Sequence, residues 1–218
     1  MTTTQTRAAT AAPPRLDRLG SVLLTLGGVA FFAYGPLHPV GDDAGDKTEQ
    51  LHSMLVDSWW YPSHAIGLLA FSSIAAGLLA IARDPVLPAP AARTTRVVGV
   101  IGVVMVLGQL VHTFAATQAS AISDGSTTPL VKAFMGVETV VNPAWSLGIA
   151  VLAVVGGLSR TIGNRVLLPI GLVGGLAFAL ANATIAFTDT FDALFPVAGL
   201  IGLWTVAAGI TGLMRRAV

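Results

Sequence analysis

The chain contains no cysteine, which excludes disulfides, thiolate metal sites and thiol redox chemistry and leaves histidine and oxygen as metal ligands. Charge is scarce too. Only 11% of the 218 residues are Asp, Glu, Lys or Arg, against 54% hydrophobic residues and a mean hydropathy of +0.76, whereas a soluble domain carries about 25% charged residues. Strand-like alternation is missing, which sets aside a β-barrel. The basic residues are scattered rather than gathered into a stripe, so nucleic acid is excluded as a partner. No Gly-rich phosphate loop of the required form occurs. Ser63 is no candidate nucleophile for His64, because neighbours in sequence point to different sides of a helix.

What remains is apolar sequence in long runs. Six of them, near residues 19–38, 61–82, 97–117, 145–158, 166–188 and 195–214, approach the roughly 18–25 residues a helix needs to cross about 30 Å of hydrocarbon. Arg15 and Arg18 before a run ending Ala33-Tyr34-Gly35 look like a secretory signal, but the run is too long for one and Pro36 would follow the cut. The first run is therefore an uncleaved span. The sequence predicts an all-α, polytopic membrane protein. Residues 1–17 form a disordered cytoplasmic tail, and residues 18–218 form a single six-helix transmembrane domain. Residues 46–58 and 129–142 read as amphipathic segments at the outer surface, and residues 84–96, DPVLPAPAARTTR, as a proline-rich linker.

Orientation follows from Lys and Arg, which are retained on the cytoplasmic side. With six spans both termini share a side, and that side collects Arg7, Arg15, Arg18, Arg83, Arg93, Arg96, Arg160, Arg165, Arg215 and Arg216, leaving only Lys47 and Lys132 opposite. Both termini are thus expected in the cytoplasm, in a cell membrane. The Ala, Gly and Val bias is that of a GC-rich bacterial genome, hence a bacterial inner membrane. Each pair of spans begins after an arginine and closes on another, and GLLAFSSIAAGLLAIAR from Gly67 matches GLIGLWTVAAGITGLMR from Gly199 in register. The spans are therefore expected as three consecutive hairpins. Gly171 and Gly175 make a small-xxx-small pair suited to close helix packing, within the chain or in a homo-oligomer.

Residues 31–64 hold three of the four histidines and five of the eleven acids. Counting from the inner arginines, His38, His64, His112, Asn142 and Asn182 stand about 16–20 residues up their helices, roughly 24–30 Å at 1.5 Å per residue. They form one polar layer under the outer surface. Gln109 shares a helix face with His112, and Glu138 with Asn142. A carboxylate at that depth is expensive unless paired, and its expected partners are Lys132 and a histidine from another helix. His52 is expected to be solvated.

Polar groups from separate helices at one height admit three functional readings. The first is a cofactor site: haem b on two histidines, or Zn, Cu or Fe on nitrogen and oxygen ligands, serving redox chemistry or electron transfer at the outer face. Its candidate cofactor-binding residues are His64, His112, His38, Gln109 and Asn182. Its metal ligands would be His64, His112 and His38, with Glu138 as oxygen ligand or second-shell orienter. The second reading is binding or transport of a small lipophilic molecule in an apolar chamber beneath the polar layer. The third is a non-catalytic scaffold subunit of a membrane complex whose polar layer satisfies itself. Expected partners are accordingly the lipid bilayer, a lipophilic small molecule, and a second copy or membrane-complex subunit.

Overall fold

The computed structural model describes residues 17–42 and 45–214. The tail expected over residues 1–17 lies outside the described residues apart from Asp17, as do Asp43, Arg215 and Arg216. Every regular element among the described residues is helical. Helix α1 (Arg18–Leu37) starts at Asp17, whose carboxylate accepts the Gly20 N–H at 2.9 Å. It stops at His38 because Pro39 disfavours helical geometry in the residue before it; His38 sits at φ −67°, ψ 131°.

Helix α2 (Lys47–Leu55) is opened by a reciprocal cap between Asp46 and Glu49. α3 (Trp60–Ile81) follows, then α4 (Ala89–Phe114), a 3₁₀ turn at Ala115–Gln118 and the short α5 (Ala119–Ser123). α6 (Pro129–Gly136) runs through a π turn, Val137–Val141, into α7 (Asn142–Ser159). α8 (Leu168–Thr184), α9 (Phe195–Ala198) and α10 (Leu200–Met214) complete the chain.

Five stretches are long and apolar enough to cross a membrane: Arg18–Leu37, Trp60–Ile81, Ala89–Ser123, Pro129–Ser159 and Asp192–Met214. α8 is apolar but shorter, at 17 residues. Their outward faces carry bare Leu26, Val29, Phe32, Leu69, Leu107 and Val151, a contiguous apolar exterior that a water-soluble surface does not present. The chain has the build of a multi-pass helical membrane protein.

Two boundaries differ from the sequence reading. The helix of the third span begins at Ala89, inside the stretch read as a linker, because Pro90 lies in its first turn, where the missing N–H has no partner to lose. Residues 129–142 are not a separate outer segment but the first turns of one helical stretch that continues to Ser159. Pro143, which would break a regular helix, is accommodated where the π turn meets α7, with the Asn142 N–H donating five residues back to the Val137 carbonyl.

Each long helix packs on the next: α1 on α3, α3 on α4, α4 on α7, α7 on α8, α8 on α10, and α10 back on α1. The result is a closed ring in which each expected hairpin pair, α1–α3, α4–α7 and α8–α10, is in contact. Its loosest seams, α4–α7 and α8–α10, fall inside expected hairpins, while α1–α10 and α7–α8 are tight joins between them. Glycine explains the tight seams. A Cβ on Gly28 would lie 2.7 Å from the Gly202 carbonyl, and one on Gly202 would lie 2.8 Å from the Gly28 carbonyl. Gly171 and Gly175 likewise press on Ala153 and Ala150 of α7, so their small face is spent within the chain.

The ring's interior is filled by aromatic edges. Phe71 meets Trp145 at 5.1 Å, and Phe31 meets Phe71, Trp145 and Phe178 at 5.7, 6.0 and 5.8 Å. Above this plug a smaller apolar cluster of Leu55, Trp60, Ala115, Ala119, Ile122 and Phe134 roofs one end of the bundle. α2 lies on α5 there, and Lys47 ties it to Asp189 and Asp192 in the turn between α8 and α9.

Replacing Gly202 by Val should force α1 and α10 apart and cost about 1–3 kcal/mol, lowering the unfolding temperature in detergent by about 2–4 °C per kcal/mol. Gly35→Ala, whose Cβ meets nothing within 4 Å, should leave it unchanged. Equal melting temperatures for the two variants would contradict the close-approach account.

Candidate metal centre

Three helix ends converge under the roof. α1 ends on His38, the first turns of α3 carry His64, and the last turn of α4 carries His112. Helical spacing also delivers the rings around them: Tyr34 is four residues before His38, and Trp60 four before His64. Trp60 stacks on His64 at 4.0 Å and on His112 at 5.2 Å, and those two imidazoles stack on each other at 4.7 Å. His38 stands 4.9 Å from the ring of His64 and 6.0 Å from that of His112. Tyr34 closes the arrangement edge-on, 5.4 Å from His38 and 5.7 Å from His64. The Trp60 indole is held by its N–H, which donates to the Thr113 carbonyl at 2.9 Å.

Each histidine has its Nδ1 against an oxygen. That of His38 is 2.9 Å from the Pro39 carbonyl, that of His64 is 2.5 Å from the Trp60 carbonyl, and that of His112 contacts the Glu138 carboxylate. A carbonyl or carboxylate oxygen can only accept, so in the neutral rings the proton sits on Nδ1 and the lone pair on Nε2. The Nε2 atoms of His64 and His112 are buried and without a hydrogen-bond partner. One ring nitrogen from each of the three histidines lies within 4.8 Å of the others. Metal–nitrogen bonds of about 2.0–2.1 Å set tetrahedral ligand nitrogens about 3.3–3.4 Å apart. The gap is roughly 1.5 Å at most, so the cluster could hold a metal ion.

Glu138 sits in the π turn and is 5% exposed. One carboxylate oxygen takes the His112 N–H, and the other accepts from the Asn142 amide at 3.3 Å. Asn142 also donates to Asn182 at 2.8 Å, and Asn182 donates to the Phe178 carbonyl at 2.9 Å. The chain of contacts therefore runs from α4 through α7 to α8 and ends on backbone. It is an orienting network, in which Glu138 stands behind His112 and fixes the direction of its ring. Lys132, the alternative partner for Glu138, is exposed; the histidine and Asn142 take that role.

Of the layer expected from sequence, His38, His64 and His112 meet directly, and Asn142 and Asn182 join through Glu138. Gln109 does not reach the imidazoles; its amide lies 3.5 Å from the Tyr34 hydroxyl, one turn deeper. His52 is on α2, half-buried beside a hollow of about 440 Å³ that Asp46, Glu49 and Asp124 also line. Tyr34 and Trp60 were missed by the sequence reading, although their four-residue spacing to His38 and His64 was there to be seen.

The fold and site together define a helical membrane-protein build with a buried three-histidine cluster able to take a metal ion. No protein-family model, no curated protein and no solved structure matches the chain.

Glu138→Ala should leave the His112 N–H buried without an acceptor and destabilise the protein by about 1–3 kcal/mol, whereas Glu138→Gln keeps an oxygen there and should lose less. Lys132→Ala should have no effect. Thermal unfolding in detergent ranks the three; a Lys132→Ala loss as large as that of Glu138→Ala would mean the carboxylate is paired elsewhere.

Proposed function

We propose that the chain is a six-span membrane protein of a bacterial inner membrane, with both termini in the cytoplasm. Its histidine centre, just beneath the outer surface, binds a transition-metal ion for redox chemistry or electron transfer at the outer face. The spanning count treats α8 as the sixth span: its 17 residues extend about 25 Å, short for hydrocarbon about 30 Å thick, a mismatch that local thinning of the bilayer accommodates. The orientation rests on the ten arginines at one end of the spans against Lys47 and Lys132 at the other.

One observation carries the metal reading. Three imidazoles are packed so that one ring nitrogen from each lies within 4.8 Å of the others, and the Nε2 atoms of His64 and His112 are buried with no donor to satisfy them. A buried polar atom without a partner is costly. A cation bound among them removes that penalty, and the carboxylate behind His112 orients that ring, as outer-shell partners of metal-bound histidines do.

An ion suits this geometry better than haem b. Axial histidines of a haem stand on opposite faces of a macrocycle, whereas His64 and His112 stack on each other with Trp60 against both. A lipophilic guest is less favoured, because the space beneath the polar layer is taken by Phe31, Phe71, Trp145 and Phe178.

Purified protein loaded with Zn, Cu or Fe and analysed by plasma mass spectrometry should retain about one ion per chain. His64→Ala and His112→Ala should abolish retention, and His52→Ala should preserve it. Because protons compete with metal for the same lone pairs, acidification should release the ion and alkalisation should restore it. Retention that ignores both the histidine substitutions and pH would sink the metal reading.

A further inference from the structure

We infer that the ion this centre is built for is monovalent, cuprous copper, held by three nitrogens with no fourth ligand. The inference rests on the metal reading above and narrows it by counting ligands and charge.

The ligand count stops at three. Tetrahedral zinc asks for four donors, the fourth from protein or water. Here the hydroxyl and carboxylate oxygens that border the imidazoles are already engaged, and the unpartnered Asn142 Oδ1 is on the far side of Glu138 from His112 in the chain of contacts. The Ser63 hydroxyl donates to the Trp60 carbonyl at 2.9 Å, the Tyr34 hydroxyl lies by the Gln109 amide, and the Glu138 oxygens face His112 and Asn142. The flanks are rings: Trp60 against His64 and His112, Phe134 at 5.1 Å from His112, and Tyr34 at the edge of His38 and His64. Water in the fourth position would have to find partners among them. A cuprous ion, closed-shell like zinc but with half its charge, is satisfied by fewer donors, and imidazole is among copper's natural ligands.

The charge count agrees. Three imidazoles donating from Nε2 are neutral, and Glu138 supplies the single negative charge that touches the cluster. With a monovalent ion the buried assembly sums to zero. With a divalent ion it carries one uncompensated positive charge, which is strongly penalised away from water unless an anion enters as well. Glu138 is thus the counter-charge of the ion as well as the group that orients His112.

The full chain in detergent, kept anaerobic, is titrated with Cu(I) against bicinchoninate and with Zn(II) against a chromophoric chelator, and the copper-loaded protein is examined by K-edge X-ray absorption. The expected result is one Cu(I) per chain, bound at least 100-fold more tightly than Zn(II), with an absorption edge of three-coordinate nitrogen ligation. Ag(I), a redox-inert monovalent probe, should compete for the same site. Glu138→Gln, which keeps an oxygen for His112 while removing the charge and the acceptor for the Asn142 amide, should weaken Cu(I) at least tenfold, whereas Asn142→Ala, which removes that hydrogen bond and keeps the charge, should weaken it less. Zn(II) bound as tightly as Cu(I), a four-coordinate spectrum, or Cu(I) affinity indifferent to Glu138→Gln would each overturn the inference. Zinc retention lost in His64→Ala would still leave the metal centre standing, whereas failure to retain either ion would remove the centre itself.

Discussion

The arrangement depends on where three protons sit. Each imidazole is turned by an Nδ1–H bond to an oxygen its own surroundings supply: the Pro39 carbonyl for His38, the Trp60 carbonyl for His64 and the Glu138 carboxylate for His112. Those bonds decide the tautomer, and the tautomer leaves the lone pair on Nε2, which in His64 and His112 is buried with no donor to meet it. In water any repulsion between such closely placed ring nitrogens would relax by ring rotation. Here Trp60, Tyr34 and Phe134 hold the rings.

The rest of the fold supplies the conditions under which that repulsion persists. Glycine contacts draw α1 against α3 and α10, and the ring closes tightly enough for Phe31, Phe71 and Trp145 to seal the cluster from below. From above, the α2 roof rests on Leu55, Ala119 and Ile122, and Lys47 fastens it across the bundle to Asp189 and Asp192. Apolar layers on both sides lower the local dielectric, which strengthens any ion–carboxylate attraction inside and raises the penalty for leaving the lone pairs unmet.

Much of this was legible in the sequence, because height along a spanning helix is a matter of counting. Arginines mark the inner ends, so residue number converts directly to depth, and His38, His64, His112, Asn142 and Asn182 fell into one layer. Azimuth is harder. Which way a side chain points depends on helix rotation, and the π turn at Val137–Val141 adds a residue to one turn. Glu138 lies in that turn, and which of its expected partners it meets, Lys132 or a histidine of another helix, depends on how this stretch is rotated against α4. The same stretch hid the continuity of α6 with α7, since Pro143 reads as a boundary unless the irregular turn that absorbs it is known. The start of α4 was hidden for the opposite reason: Pro88 and Pro90 resemble a linker, yet they stand at the cap and first turn, where proline is tolerated. Ring closure was illegible because α1 and α10 are joined by glycine contacts between the two ends of the chain, and no local pattern reports which distant helix a small face will meet.

The three histidines are not equivalent, and their differences follow from how each is delivered. His64 is fully buried within a long helix, and His112 is 7% exposed near the end of another. His38 alone is half-buried. It stands past the last turn of α1, between Pro36 and Pro39, on the segment that leads to the roof. Two of the imidazoles are thus set by long helices, and the third by backbone restrained by proline on both sides. The cluster therefore combines a pair fixed within helices with a third imidazole at its edge, placed by the backbone just past the end of α1 and by the edge of Tyr34.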